Sequence, residues 1–323
     1  MKKEAILREL QEHRWRGYTF GFCERRGFTK KEGWKWSMEE MVRTSGTDTL
    51  VLPVCALQDR VDSVCLNTMH GASPDVMSEE DVLKVCRHAR TLGLRIILKC
   101  MVNCRDGVWR AYIHFFDPPV PTEPTWDQWF EQYEGHVKEV AALAEGVEAE
   151  MLCVGCEMVS ADQKDAHWRH LIRGARELYT GPVTYNCDKY QEDRLTWWDE
   201  LDVMSSSGYY PVSCMESQFE RIRQAAERAG KPFLFMECGC PSRGGSEERP
   251  NDWRFGHGLN LESQTRWYDA FFQATERHSF VRGYVLWDWP ASRLYPERMG
   301  CDQDGYCTYG KPANGLAKAM VKA

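Results

Sequence analysis

The chain is 323 residues long, 43% hydrophobic and 28% charged, with a formal net charge of −7. That balance fits a soluble globular protein with an ample core, and the acidic surface argues against a nucleic-acid or anionic-membrane partner. No run approaches the roughly 18 apolar residues of a membrane span. The N-terminal segment Met1 to Arg14 is charged and amphipathic with no apolar signal core. The expectation is a cytoplasmic protein whose fourteen cysteines are reduced thiols, since a chain of this length needs no disulfide scaffold.

A leading helix over residues 1–16 precedes a first strand, Tyr18 to Cys23. Helical residues around Met38 to Thr44 stop at Gly46. Thr49 to Cys55 reads as the second strand, with Pro53 awkward inside a sheet. Ser78 caps a helix that ends at Leu92-Gly93, and Arg95 to Val102 is the third strand. A long loop follows, holding Asp106-Gly-Val-Trp109-Arg110 and a proline cluster at 118–124; such loops are more often functional than idle. Trp126, Trp129, Phe130, Tyr133, Val137, Val140 and Ala144 recur at helical spacing, an aromatic stripe better read as core than as a binding face.

Met151-Leu-Cys-Val-Gly-Cys-Glu157-Met158 is the fourth strand, an apolar run that ends in one carboxylate. Helix 167–179 stops at Thr180-Gly181-Pro182, and Val183 to Cys187 is strand five. Strand six and its loop lie within Asp202 to Pro211. A helix over 216–228 leads to strand seven, 232–238, which again delivers a lone acid, Glu237. A loop over 240–260, a helix over 261–277, strand eight at Gly283 to Pro290 and a closing helix from Pro312 complete the chain. Eight short apolar strands alternating with helices predict a single α/β domain over 1–323, a (β/α)8 TIM barrel. A doubly wound open sheet is the alternative, but no Gly-x-Gly-x-x-Gly follows strand one.

Active sites of such barrels sit at the C-terminal ends of the strands. The polar and aromatic residues there are Lys99, Asn103, Glu157, Asn186, Tyr209, Tyr210, Glu237, Trp287 and Trp289. An isolated acid ending a buried strand is costly unless it is paired or used. Two carboxylates among aromatics and amides are the equipment of glycoside hydrolysis, in which one acid is protonated and the other ionised. Bland readings stand beside this one: Lys99 can snorkel from a barrel end. Trp287 and Trp289 share a face, one of them as core and the other lining the cleft. Cys153-x-x-Cys156 is not read as a metal site, because residues three apart on a strand point to opposite faces. The nine histidines are scattered through helices and loops, so no metal centre and no cofactor is expected. Nor is there a phosphate-cradling Gly-rich loop or a Gly-x-Ser-x-Gly elbow.

From strand one to strand eight the chain resembles glycoside hydrolase family 113, the clan A retaining β-mannanases and their relatives. The likeness rests on Arg95-Ile-Ile-Leu-Lys99 with Asp106 to Arg110, Met151 to Glu157, and Tyr179 to Asn186. It continues through Trp197 to Asp202, Tyr209-Tyr-Pro211, Lys231 to Glu237 and Gly283 to Trp289. The resemblance implies Glu157 as general acid/base and Glu237 as nucleophile, with Tyr209 or Tyr210 holding the nucleophile's carboxylate. It implies a strand-eight Trp, Trp287 or Trp289, under the reacting sugar, and Lys99, Asn103, Trp109, Arg110 and Asn186 as sugar contacts.

The chain departs from the family pattern at Cys156, where relatives carry a small polar residue, and at Cys100-Met-Val-Asn103. It departs again at Ser205-Ser-Ser-Gly208 and Cys238-Gly-Cys-Pro-Ser242. The expected activity is retaining cleavage of β-1,4-mannosidic links in oligosaccharides. Another clan A specificity (β-glucosidase, xylanase or Man-GlcNAc cleavage) and a non-catalytic carbohydrate-binding barrel are the alternatives. The expected partner is a β-linked oligosaccharide.

Overall fold

A computed structural model describes residues 2–31, 33–252, 254, 258–292 and 304–320. Eight parallel strands close into a barrel in sequence order: β1 Trp15–Phe20, β2 Thr49–Gln58, β3 Arg95–Cys104, β4 Met151–Cys156, β5 Val183–Cys187, β6 Met204–Ser207, β7 Phe233–Cys238 and β8 Val281–Trp289. The helices between them are α1 Lys2–Glu12, α2 Gly33–Ser45, α3 Glu79–Thr91, α4 Trp126–Gly146, α5 Asp165–Arg176, α6 Met215–Ala229, α7 Leu261–Arg277 and α8 Pro312–Ala319. This is the (β/α)8 barrel that the alternating pattern predicts. Among the described residues no helix is long and apolar enough to cross a membrane.

Local chemistry explains most element ends. Ser78 and Asp81 form a capping box on α3, and Thr125 and Gln128 form one on α4, each satisfying backbone N–H groups that the first helical turn leaves open. Gly230 ends α6 at φ 63. The first strand lies three residues earlier than its apolar run suggests. Gly21, at φ 71, turns the chain away, and Cys23 beyond it is also left-handed at φ 58, so neither can continue a strand. Pro53 sits inside β2, where the ladder to β1 has already ended at Val51 while that to β3 continues. There β2 is paired on one side only, the setting that best tolerates a residue without an N–H.

The core has two layers. Alternate strand residues face the helices, where the α4 stripe of Trp126, Trp129, Phe130 and Tyr133 is fully enclosed. The others fill the barrel: Trp15, Val51, Ile97, Met151, Cys153, Val203, Leu234, Met236 and Val285 form one inner cluster. The leading helix belongs to that cluster through Ile6 and Leu10. It is thus the plug of the barrel's N-terminal end rather than an appendage, and it stops at Glu12 instead of residue 16. Toward the other end a small cluster of Cys55, Met101 and Cys156, with Phe22 and Trp287 against it, forms the floor of the cleft.

Candidate active site

Strict alternation would keep Glu157 on the inner face with Met151 and Cys153, but would turn Cys156 and Glu237 outward. On β4, Cys153 faces inward and Val154 outward; on β7, Met236 faces inward, so its neighbour Glu237 should face the helices. Register shifts break the parity in both strands, between Cys153 and Cys156 against β5 and between Phe235 and Cys238 against β6 and β8. Irregularities of this kind re-aim side chains beside active sites. They also bring Cys153 and Cys156 to the same interior, which corrects the expectation that the two thiols point to opposite faces.

Both carboxylates are buried, Glu157 at 7% and Glu237 at 3% exposure. One oxygen of each, together with Cys156 Sγ, lies within 4.8 Å of the other two atoms. Each carboxylate has its own set of donors. Glu237 Oε1 accepts from Lys99 Nζ and, at 3.3 Å, from the Cys156 thiol, while its Oε2 accepts from the Tyr209 hydroxyl at 3.0 Å. Burial pushes the Glu237 carboxyl up, but the charges of Lys99 and Arg110 and the bonds from Lys99 and Cys156 outweigh it, holding the group below its ordinary value.

Glu157 Oε2 accepts from Arg110 Nη1 at 2.9 Å and from Trp109 Nε1 at 3.3 Å; its Oε1 accepts from Ser207 Oγ at 2.6 Å. Asn186 joins the two halves. Its Oδ1 accepts from Lys99 at 3.3 Å, and its Nδ2 donates to Ser207 Oγ at 2.9 Å. A continuous chain of polar contacts therefore runs from Glu237 through Lys99, Asn186 and Ser207 to Glu157.

The donor set Cys156, Glu157 and Glu237 is one a metal ion could use. Lys99 and Arg110 already bring two positive charges to those oxygens. The electrostatic demand that a cation would meet is satisfied by the chain itself.

The remaining candidates divide. Lys99, Trp109, Arg110, Asn186 and Tyr209 converge on the carboxylates, though Arg110 does so as the partner of Glu157, anchored by Val102 O and Asn103 Oδ1, rather than as an open sugar contact. Asn103 lies to the side, between the thiols of Cys23 and Cys55, in a cavity of about 270 Å³ that Glu24, Arg25, Asp75 and Arg105 also line. Trp287 stands over the floor cluster, its ring 4.6 Å from that of Phe22.

Two candidates are not in the cleft. Trp289 is fully buried, with Nε1 donating to Ser37 and its ring against Tyr18 and Tyr309. Tyr210 is buried too, its hydroxyl on Glu192 at 2.5 Å. Tyr210 follows Tyr209 by one residue, the interval that turns a side chain outward, whereas Trp289 leaves the face of Trp287 where the register against β1 shifts between Leu286 and Trp289. Sequence reasoning missed Ser207, read only as part of a serine run, and Asp188, which ends β5 buried and whose carboxyl burial and the nearby Glu157 charge push up to about 7. A lone acid after a short apolar strand was the signal for Asp188, the same one that marked the two glutamates.

The sequence profile of Glycoside Hydrolase Family 113 matches residues 18–311. Two solved structures of GH113 β-1,4-mannanase, one of them a complex, are each 41% identical to this chain, covering 96% of it and 99% of their own length at a TM-score of 0.93. The GH113 β-mannanase AaManA from Alicyclobacillus acidocaldarius, in complex with ManMIm, is 36% identical, with 96% and 98% coverage and a TM-score of 0.90. A β-D-glucuronidase from Dictyoglomus thermophilum, at 16% identity and a TM-score of 0.64, shares the fold alone. No curated protein matches the chain.

Proposed function

The chain belongs to glycoside hydrolase family 113, and on that premise we propose that this single-domain barrel cleaves β-1,4-mannosidic links in oligosaccharides by double displacement, with Glu237 as nucleophile and Glu157 as acid/base. The chain is a glycoside hydrolase acting on β-mannosidic linkages. The observation that carries the mechanism is the gap between the carboxylates. One oxygen of each lying within 4.8 Å of the other suits the roughly 5–5.5 Å carboxyl spacing of a retaining enzyme better than the spacing of about 6.5–9.5 Å in an inverting one.

The surroundings suit the two roles. Glu237, kept ionised by Lys99 and oriented by Tyr209, attacks the anomeric carbon and forms the glycosyl-enzyme. Glu157 gives its proton to the departing oxygen, then takes one from the water that releases the sugar. Trp287 offers an apolar face beside the reacting ring, and Trp109, 39% exposed, offers one beside the leaving group. Lys99, Asn186 and Arg110 serve chiefly by ordering the two carboxylates, and Asn103 lies where a neighbouring sugar unit of the chain would reach.

Proton NMR of the first product from a manno-oligosaccharide tests the proposal. The β-anomer is expected to appear before mutarotation, and initial release of the α-anomer overturns it. A panel of aryl β-mannoside, β-glucoside and β-xyloside tests the sugar, and unchanged turnover by Glu237→Gln removes that residue as nucleophile.

A further inference from the structure

Glu157 carries its side chain on a left-handed backbone, φ 51, a region unfavourable to any residue with a Cβ and kept only where the surroundings over-determine it. The surroundings here are specific. Glu157 N donates to Asn186 O at 2.8 Å, and Asp162 N donates to Met158 O at 2.9 Å. Met158 N, the next amide along, donates to the Tyr185 hydroxyl at 2.9 Å. Having accepted that bond, the hydroxyl sends its own proton to Asp162 Oδ1. The direction of the relay is therefore fixed: Met158 amide, Tyr185 hydroxyl, Asp162 carboxyl.

Neither side chain faces the cleft carboxylates. Tyr185 is wholly buried behind β5, its ring centroid 5.0 Å from Trp168 and 4.9 Å from Trp197. Those indoles hold the Asp162 turn in place, Trp168 through Ala161 O at 2.9 Å and Trp197 through Asp162 O at 3.0 Å. On the other side of Glu157, Gly155 presses on the same ring; a Cβ there would lie 2.8 Å from Tyr185 Cε2 and 2.9 Å from Trp168. A tyrosine on a strand buried against helices needs no hydroxyl for packing, and this one meets an amide beside Glu157.

We propose that Tyr185 and Asp162 are positioning residues for proton transfer: their relay fixes the backbone turn that aims the Glu157 carboxyl at the leaving oxygen. The inference rests on reading Glu157 as the acid/base. Removing the hydroxyl leaves the Met158 amide buried without its acceptor, and the turn relaxes toward a less strained conformation. Glu157 then stays in the cleft but out of line, and a misplacement of one ångström can cost about a hundredfold in rate.

The test compares kcat/KM on two substrates: a manno-oligosaccharide, whose leaving group must be protonated, and 2,4-dinitrophenyl β-mannoside, whose leaving group needs no proton. Glu157→Gln is the benchmark and should lose far more on the first. If it loses equally on both, the acid/base reading fails, whatever the relay does. Given that benchmark, Tyr185→Phe is expected to fall about ten- to a hundredfold on the oligosaccharide and little on the aryl substrate. Asp162→Ala should follow it, and Asp162→Asn, which still offers an oxygen to Tyr185, should restore most of the rate. Equal losses on both substrates, or none on either, overturn the proposal. The two Asp162 variants supply the same contrast should Tyr185→Phe not fold.

Discussion

The ammonium of Lys99 and the carboxylate of Glu237 meet where neither is wetted, at 0% and 4% side-chain exposure. Such a pair contributes little beyond the cost of desolvating its members, but removing one partner strands the other charge in a dry interior. Lys99 also holds Glu237 below its ordinary carboxyl value against the opposing effect of burial, so it sets the pH at which the nucleophile is lost. Lys99→Met removes the cation and lets burial dominate. The acidic limb of kcat/KM, which follows protonation of Glu237, is expected to move to higher pH, with a stability loss of about 3–5 kcal/mol in denaturant unfolding. The double variant Lys99→Met/Glu237→Gln, lacking both charges, should regain much of that stability while remaining inactive. An acidic limb that stays in place argues against Lys99 as the group controlling the nucleophile.

Tyr209 supplies the third donor to Glu237, at Oε2. Its burial pushes the phenol well above its ordinary value, so it remains a donor throughout the working range. Tyr209→Phe deletes one hydrogen bond to a charged acceptor, about 1.5–3 kcal/mol, from an oxygen that must be oriented for attack. A fall of roughly ten- to a hundredfold in kcat with KM little changed is expected, the pattern of an interaction made in the transition state. Steady-state kinetics on a manno-oligosaccharide checks it; a rise in KM alone would make Tyr209 a sugar contact instead.

The barrel was legible because most of its strands are buried on both faces and read as short apolar runs, β6 with its three serines being the exception, so their number and order survive errors at their ends. Glu157 and Glu237 were legible for the same reason, each being an abrupt charge after such a run. What was hidden depends on register. Period-two logic puts Cys153 and Cys156 on opposite faces, and gives Glu237 the wrong one, because it has no means of detecting the shifts in β4 and β7. Tyr210 and Trp289 were swept in as near neighbours of cleft residues, although each hydrogen-bonds into the outer layer. Arg110 was correctly placed by its loop, but the loop folds it onto Glu157, a long-range pairing that no local pattern encodes.

Helix α1 illustrates the same limit. Its charged, amphipathic sequence gave no hint of a structural task, yet Leu10 is wholly buried in the inner barrel cluster with Trp15 and Met151. Leu10→Ala should behave as a core truncation, costing about 2–5 kcal/mol and lowering the thermal midpoint. The effect on kcat at moderate temperature should be small, since the plug lies at the end of the barrel opposite the carboxylates. Calorimetry paired with an activity assay separates the two effects.

Asp162 carries the last expectation. Burial raises its carboxyl to about 8, with Tyr185 opposing and the carboxylates of Asp188 and Glu157 adding to the rise. The ordinary value is 3.8, so the unfolded chain gives up this proton well before the folded one does. As pH climbs between those values the unfolded state binds fewer protons, and stability must fall; below the ordinary value the group's full contribution is present. Asp162→Asn has no proton to lose. The stability of the variant relative to the parent should therefore increase from about pH 4 to about pH 8 and then level off, by an amount on the order of a few kcal/mol. Asp188, raised to about 7 by burial and by Glu157, titrates in the same window in both proteins and leaves a residual slope in each. Urea unfolding across that range supplies the comparison. A difference that stays flat would mean that Asp162 is already ionised at neutral pH, its charge carried by the Tyr185 hydroxyl.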